Sequence, residues 1–225
     1  MKNKRGSHVG IILSFTLFIG FLIFSYVLIG PTLRMNPELK ESLTILKKEI
    51  IQELSEEIIF IWVYSESSLC SQIDLPDNSF ENIQVFVING TGEEVPSYFD
   101  TSKIYLQNLN GFTKIHISNS SFENESTSSL SGCQQVEIKS SLHEERIAEK
   151  RIIEMIGRID NDYTNFREEF GFYGDLNILF KYSNGTQIGT KNVETNTNIY
   201  SESIFINYLS LKAEEKTGEL IIRLW

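Results

Sequence analysis

Histidine, cysteine and basic residues are scarce in this chain, and each scarcity closes off a kind of chemistry. Among 225 residues there are 3 histidines, His8, His116 and His143, and 2 cysteines, Cys70 and Cys133. Two cysteines without matched histidines argue against a zinc site. His143-Glu144 begins like a zinc-protease helix, but Ile147 stands where the second histidine would be needed. There is no Cys-x-x-Cys, no Gly-x-Ser-x-Gly elbow and no glycine-rich phosphate loop. His8 sits at the edge of an apolar run. His116 falls in the polar phase of an alternating stretch, which predicts a solvated side chain. The acidic pairs Glu56-Glu57, Glu93-Glu94 and Glu144-Glu145 are sequential, so they do not by themselves aim two carboxylates at one point. Solvated surface is the expectation for them. No catalytic residue, metal ligand, cofactor or small-molecule substrate is expected.

Lys and Arg number 20 against 30 Asp and Glu. Lys2, Lys4 and Arg5 lie in the first eight positions, where there is no acid, so the remainder carries 30 acids against 17 bases and a formal charge of −13. Such a surface repels a phosphate backbone, which argues against a nucleic-acid partner.

What the chain does have begins at Val9. From Val9 to Ile29 there is no charged residue. As a helix this run rises about 30 Å, enough to cross the hydrocarbon core of a bilayer. A cleaved secretory signal has a shorter apolar region and a small-x-small cleavage site. Here the run ends at Leu28-Ile29-Gly30-Pro31, and Leu28 is too bulky for that pattern. The basic residues in front of the run place the N-terminus in the cytoplasm and the rest of the chain outside. A plain single-pass signal anchor satisfies these observations.

Beyond the run, Gly30-Pro31 or Pro37 is expected to kink or break the helix. Leu39, Leu43, Leu46, Ile50 and Leu54 then follow helical steps and make one apolar face. Near Glu57 the composition becomes β-branched and aromatic, as in a strand. Short strands are expected at "NIQVFVING", "KIYLQNLNG", "FTKIHISN" and "CQQVEIKSS", with period-two alternation that fits an antiparallel sheet. A second helical stretch is expected over about Glu145 to Phe170, carried by Ile152, Met155, Ile156 and Ile159 and broken near Asp160-Asn161-Asp162. "DLNILFKYSNGTQIG" reads as a hairpin, and a last strand pair should turn around Lys216-Thr217-Gly218. The class is α+β: a long N-terminal helix, apolar and then amphipathic, an antiparallel β-rich head, and an additional helix. In ranges, residues 7–30 are the membrane helix, 31–56 the amphipathic helix and 57–225 the head.

On an oxidising side of the membrane, Cys70 and Cys133 suggest one disulfide, with two buried free thiols as the alternative. Asn89, Asn119, Asn124 and Asn184 each begin an Asn-x-Ser/Thr sequence and are glycosylation candidates in an exported domain. Turn chemistry alone explains Asn89-Gly90 and Asn184-Gly185 equally well.

The start of the chain carries a resemblance. Lys4-Arg5-Gly6-Ser7, followed within two residues by an uninterrupted apolar run, resembles the class III leader of archaeal type IV pilins and related archaellin-like proteins. Bacterial pilins carry a glutamate where this chain has Ile11, so the likeness is to an archaeal-type subunit. The resemblance implies that residues 1–6 are a leader and that a prepilin-type peptidase cuts after Gly6. It implies that the apolar helix stays on the mature protein as membrane anchor and later as filament core, with other pilin-like subunits as partners. It also implies that the amphipathic half, through Leu43, Leu46 and Ile50, packs on the head. The helix near Glu145 to Phe170 exceeds what a simple pilin head needs, which points to a minor pilin, a tip adhesin or an assembly-priming pseudopilin. The competing reading is an anchored extracellular binding or adhesion domain that does not polymerise.

Overall fold

The computed structural model describes residues 6–33, 37–75, 83–100, 102–119, 121–122, 132–172, 174–191 and 199–225. The chain divides into two compact units, Met1–Ser42 and Leu43–Trp225.

In the first unit, α1 (Gly6–Leu33) is apolar on every side, with no stripe reserved for a protein core. Its section Gly10–Val27 is long and apolar enough to cross a membrane, and none of it is buried. Thr16 donates its hydroxyl to the Ile12 carbonyl at 2.9 Å, which satisfies a polar group inside the apolar stretch. The helix does not break at Gly30-Pro31. It continues to Leu33, since a proline in the last turn removes a single donor. The next helix, α2 (Pro37–Leu54), opens on Pro37, where a missing N–H costs nothing.

The second unit contains the buried stripe of α2: Leu43, Leu46, Ile50 and Leu54 are all nearly solvent-free, whereas Ile45, off the stripe, is exposed. Lys47 pairs with Glu202, and Glu53 with Arg158 at 3.3 Å, so charged flanks fix the helix about its apolar face. The helix ends at Leu54 and passes straight into β1 (Ser55–Asp74), so Ser55 and Glu56 belong to the sheet and not to the helix.

Around β1 the sheet is antiparallel. Strand β4 (Lys103–Ser118) pairs along one side of it, and β6 (Ile138–Ala148) along the other. Strands β2 (Gln84–Asn89) and β3 (Ser97–Asp100) pair with the two ends of β4. The two-residue β5 (Gln134–Gln135) lies parallel to β1. Ile59, Ile61 and Val63 enter one core, while Ile58 and Phe60 enter another on the opposite face. A strand covered on both sides has no wet phase, which is why "IIFIWV" does not alternate. The two strands expected at "KIYLQNLNG" and "FTKIHISN" are one strand, β4, bent where Asn108 and Gly111 take positive φ opposite the register shift between Ser65 and Ser68 of β1.

The expected helix start near Glu145 is also corrected. Glu145, Arg146 and Ile147 pair with Glu57, Glu56 and Ser55 in β1, and α3 (Glu149–Asn161) begins after them. Pairing with a long neighbour overrides the helix propensity of Glu and Arg. Ile152, Met155, Ile156 and Ile159 are the buried face of α3. Asp162 ends α3 and caps α4 (Tyr163–Phe170), accepting from the Asn165 N–H at 3.4 Å.

A second antiparallel group follows: β7 (Leu176–Tyr182), β8 (Gln187–Gly189), β9 (Tyr200–Leu209) and β10 (Glu215–Leu224). Among the described residues its strands pair with those of the first group where Ile147 and Ala148 lie parallel to Tyr208 and Leu209. The last turn is at Ser210–Glu214, not at Lys216-Thr217-Gly218. Gly218 lies inside β10, where a Cβ would run into the Phe180 ring. The glycine marks a close approach and not a turn.

Candidate functional site

Lys4 and Arg5 lie outside the described residues, and Gly6 and Ser7 open α1. The chemistry that can be built from side chains therefore lies in the second unit. A buried polar centre there is Glu56. This carboxylate is buried at the start of β1, against the expectation of a solvated acidic pair; its neighbour Glu57 faces solvent. Alternation puts Glu56 on the same face of β1 as the buried Ile58 and Phe60, and Glu57 on the other. It accepts the Asn119 N–H at 2.8 Å and the Ser121 hydroxyl, and Arg151 of α3 approaches to 3.5 Å. Ser121 in turn has its N–H on the Ser118 hydroxyl at 2.9 Å, and Phe122 has its N–H on Gln84 at 2.8 Å. Glu56 thus ties the end of β4 to β1 and α3. The Ser121 hydroxyl and its carboxylate partner are both buried, and the arrangement holds the chain together.

His116 is next to this centre and is 1 % exposed, which corrects the expectation of a solvated ring. It stands edge-on between Phe60, 5.2 Å away, and Phe122, 6.0 Å away. Burial, with Lys114 nearby adding to it, pushes its pKa down to about 3, so the ring is neutral. Its Nδ1 has no partner among the described residues. Lys114 extends over Phe60 at 4.4 Å and Trp62 at 5.6 Å, and burial lowers its pKa as well. Further along the same face Tyr64 and Phe112 lie 4.9 Å apart, both exposed. Nothing in the spacing of His116 or Glu56 announces burial: Glu56 is covered by Ser121, far along the chain, and His116 by Phe60 of β1 together with Phe122 just past the end of β4.

A cleft of about 430 Å³ opens where β6 and β9 part. Its charges are matched: Arg146 lies 4.0 Å from Glu215, and Lys216 pairs with Glu214 at 2.6 Å. A second cleft, about 340 Å³, is lined by Tyr163, Asp175, Thr190 and Trp225. Among the described residues no group of three His, Cys, Asp or Glu side chains could hold a metal.

Cys70 and Cys133 form a disulfide with Cα atoms 4.6 Å apart. The bond fastens β5 to the far end of β1. Asn89 and Asn184 both cap turns, each accepting from the backbone N–H and the hydroxyl of the threonine two residues on. Asn119 follows β4, and Asn124 lies outside the described residues. Among the described residues, the structure does not bring Asn89, Asn119 and Asn184 together with one another or with the disulfide into one site. No protein-family model, no curated protein and no solved structure matches this chain.

Proposed function

We propose that this protein is a non-catalytic subunit of a type IV pilus-like surface filament, or of its assembly, as a minor pilin or pseudopilin. One observation carries the reading. The basic pair Lys4-Arg5 stands directly before Gly6-Ser7, and the helix from Gly6 to Leu33 carries no charged residue. That sets a small residue between a basic pair and the apolar helix, at the membrane edge. Two features agree with it: an amphipathic helix whose Leu43, Leu46 and Ile50 are buried, and a β-rich head closed by a disulfide.

In this reading a prepilin-type peptidase cuts between Gly6 and Ser7 on the cytoplasmic side. The cut removes Lys2, Lys4 and Arg5, the side chains that resist entry into the bilayer. The freed apolar helix then moves from lipid into a core of like helices, and the acidic head faces water outside the cell. The test is the N-terminal mass of protein taken from its own cells. A terminus at Ser7, and an uncut chain in Gly6→Val, are the expected results. An intact Met1 or Lys2 terminus overturns the reading.

The exposed Tyr64–Phe112 pair, beside Trp62 and Lys114, favours a second reading: an anchored extracellular binding domain that never polymerises. The intact terminus is its expected result.

A further inference from the structure

Four asparagines carry the same acceptor signal, and three of them lie among the described residues in very different settings. What separates an acceptor asparagine from any other is the hydroxyl two residues on. The partner of that hydroxyl, and the freedom of the amide nitrogen, therefore decide which signal can be used.

At Asn119 the hydroxyl belongs to Ser121, which is 2 % exposed and donates to Glu56. The Asn119 N–H is held by the same carboxylate at 2.8 Å. That signal is locked into the fold. At Asn89 the amide oxygen accepts the Thr91 hydroxyl at 2.6 Å and the N–H groups of Thr91 and Glu93 at 3.0 and 2.9 Å. Its amide nitrogen, the atom that would have to react, donates to Glu93 at 3.0 Å, and the residue is half-buried. At Asn184 the amide oxygen accepts the Thr186 hydroxyl at 2.7 Å and the Thr186 N–H at 2.9 Å. Here the nitrogen has no partner among the described residues. Residues 183–186 form the β7–β8 turn, with Asn184, Gly185 and Thr186 exposed and Gly185 at φ +87°.

We propose that Asn184 is an N-glycosylation acceptor of this chain, and that Asn89 and Asn119 stay bare despite the same three-residue signal. The sugar donor is an oligosaccharide carried on a membrane lipid phosphate or pyrophosphate. The Asn184 Nδ2 attacks the anomeric carbon of the first sugar. The C–N bond forms as the bond from that carbon to the phosphate oxygen breaks. The lipid phosphate leaves with the electron pair, and Nδ2 gives up one proton to a base of the transferring enzyme. No oxidation state changes. The inference rests on the topology of the proposed function, with the head outside the cell.

The experiment takes full-length protein from its own membranes and reads peptide masses site by site, with protease shaving of intact cells alongside. Expected are a glycan on the peptide containing Asn184, unmodified peptides for Asn89 and Asn119, and loss of one whole glycan mass in Asn184→Gln. A glycan on Asn89 or Asn119, or an Asn184 left bare on a head that shaving removes, overturns the inference and leaves the filament reading standing. A head protected from protease in intact cells overturns the topology, and both proposals with it.

Discussion

His116 shows what a single buried ring does to the behaviour of the molecule. Its folded pKa is about 3, against an ordinary value of 6.5. Between those values the unfolded chain takes up a proton that the folded protein refuses, so stability falls as pH falls through this window. Each pH step of one across the window costs about 1.4 kcal/mol, so the loss between about pH 6.5 and about pH 5 amounts to about 2 kcal/mol. In urea unfolding of the detergent-solubilised chain, His116→Leu should flatten this slope relative to wild type. Equal slopes would assign the acid sensitivity to other groups. Gly218 offers a second test at this scale. A methyl group there meets the Phe180 ring, so Gly218→Ala should cost about 1–3 kcal/mol. The exposed neighbour Thr217 gives the control, because Thr217→Ala should change stability little.

The amphipathic helix illustrates how an element is held in place through one face. Leu46 and Ile50 are essentially without solvent contact, and each should cost about 2–5 kcal/mol as alanine. Ile45 lies one position before Leu46 but is 52 % exposed. Ile45→Ala should leave the unfolding midpoint nearly unchanged, and a large loss there would mean that this side of the helix is covered too. At the junction of β1, β4 and α3, Glu56 acts as a clamp. Glu56→Ala strands the Asn119 N–H and the Ser121 hydroxyl beside a cavity. Arg151 is 38 % exposed and keeps its water, so the cost comes from the stranded Ser121 hydroxyl and Asn119 N–H and is about 1–3 kcal/mol. Hydrogen exchange should show the Asn119 amide losing protection first, while the β9–β10 ladder stays slow.

At the scale of the whole molecule, the sheet is two antiparallel groups sharing a seam of two residues from each strand. The disulfide lies in the first group and spans a sequence separation of 63 residues. Closing a loop of that length stabilises by about 4 kcal/mol in the chain-entropy account. The paired substitution Cys70→Ser with Cys133→Ser should lower the unfolding midpoint accordingly. The loss should fall on β1, β4 and β5, with the β7–β10 group changed little. Uniform loosening of both groups would show that the seam couples them more strongly than its length suggests.

Some of this was settled by local chemistry, which the sequence carries directly. An uncharged run of membrane-spanning length fixes an apolar helix, whatever surrounds it. The steps from Leu43 to Leu54 fix a one-sided helix, because side-chain direction follows from the helical repeat. Ile152, Met155, Ile156 and Ile159 fix a second, and Asp162 its end. Other features depend on what arrives from far along the chain. "HEERIA" extends as strand because β1 is long enough to pair with it. The polar phase of β4 is dry at His116 because Phe60 of β1 stands against it, with Phe122 closing over from the end of β4 itself. Glu56 is inward because it shares the face of β1 that carries Ile58 and Phe60, which Ser121 and α3 cover, and Gly218 is a packing contact because Phe180 crosses it from β7. The Cys70–Cys133 pairing needed only a count of two and an oxidising compartment, but its place at the end of β1 follows from the parallel β5. The candidate asparagines read alike as sequence; the three among the described residues differ through the partners of one hydroxyl and one amide nitrogen, and folding alone assigns those partners.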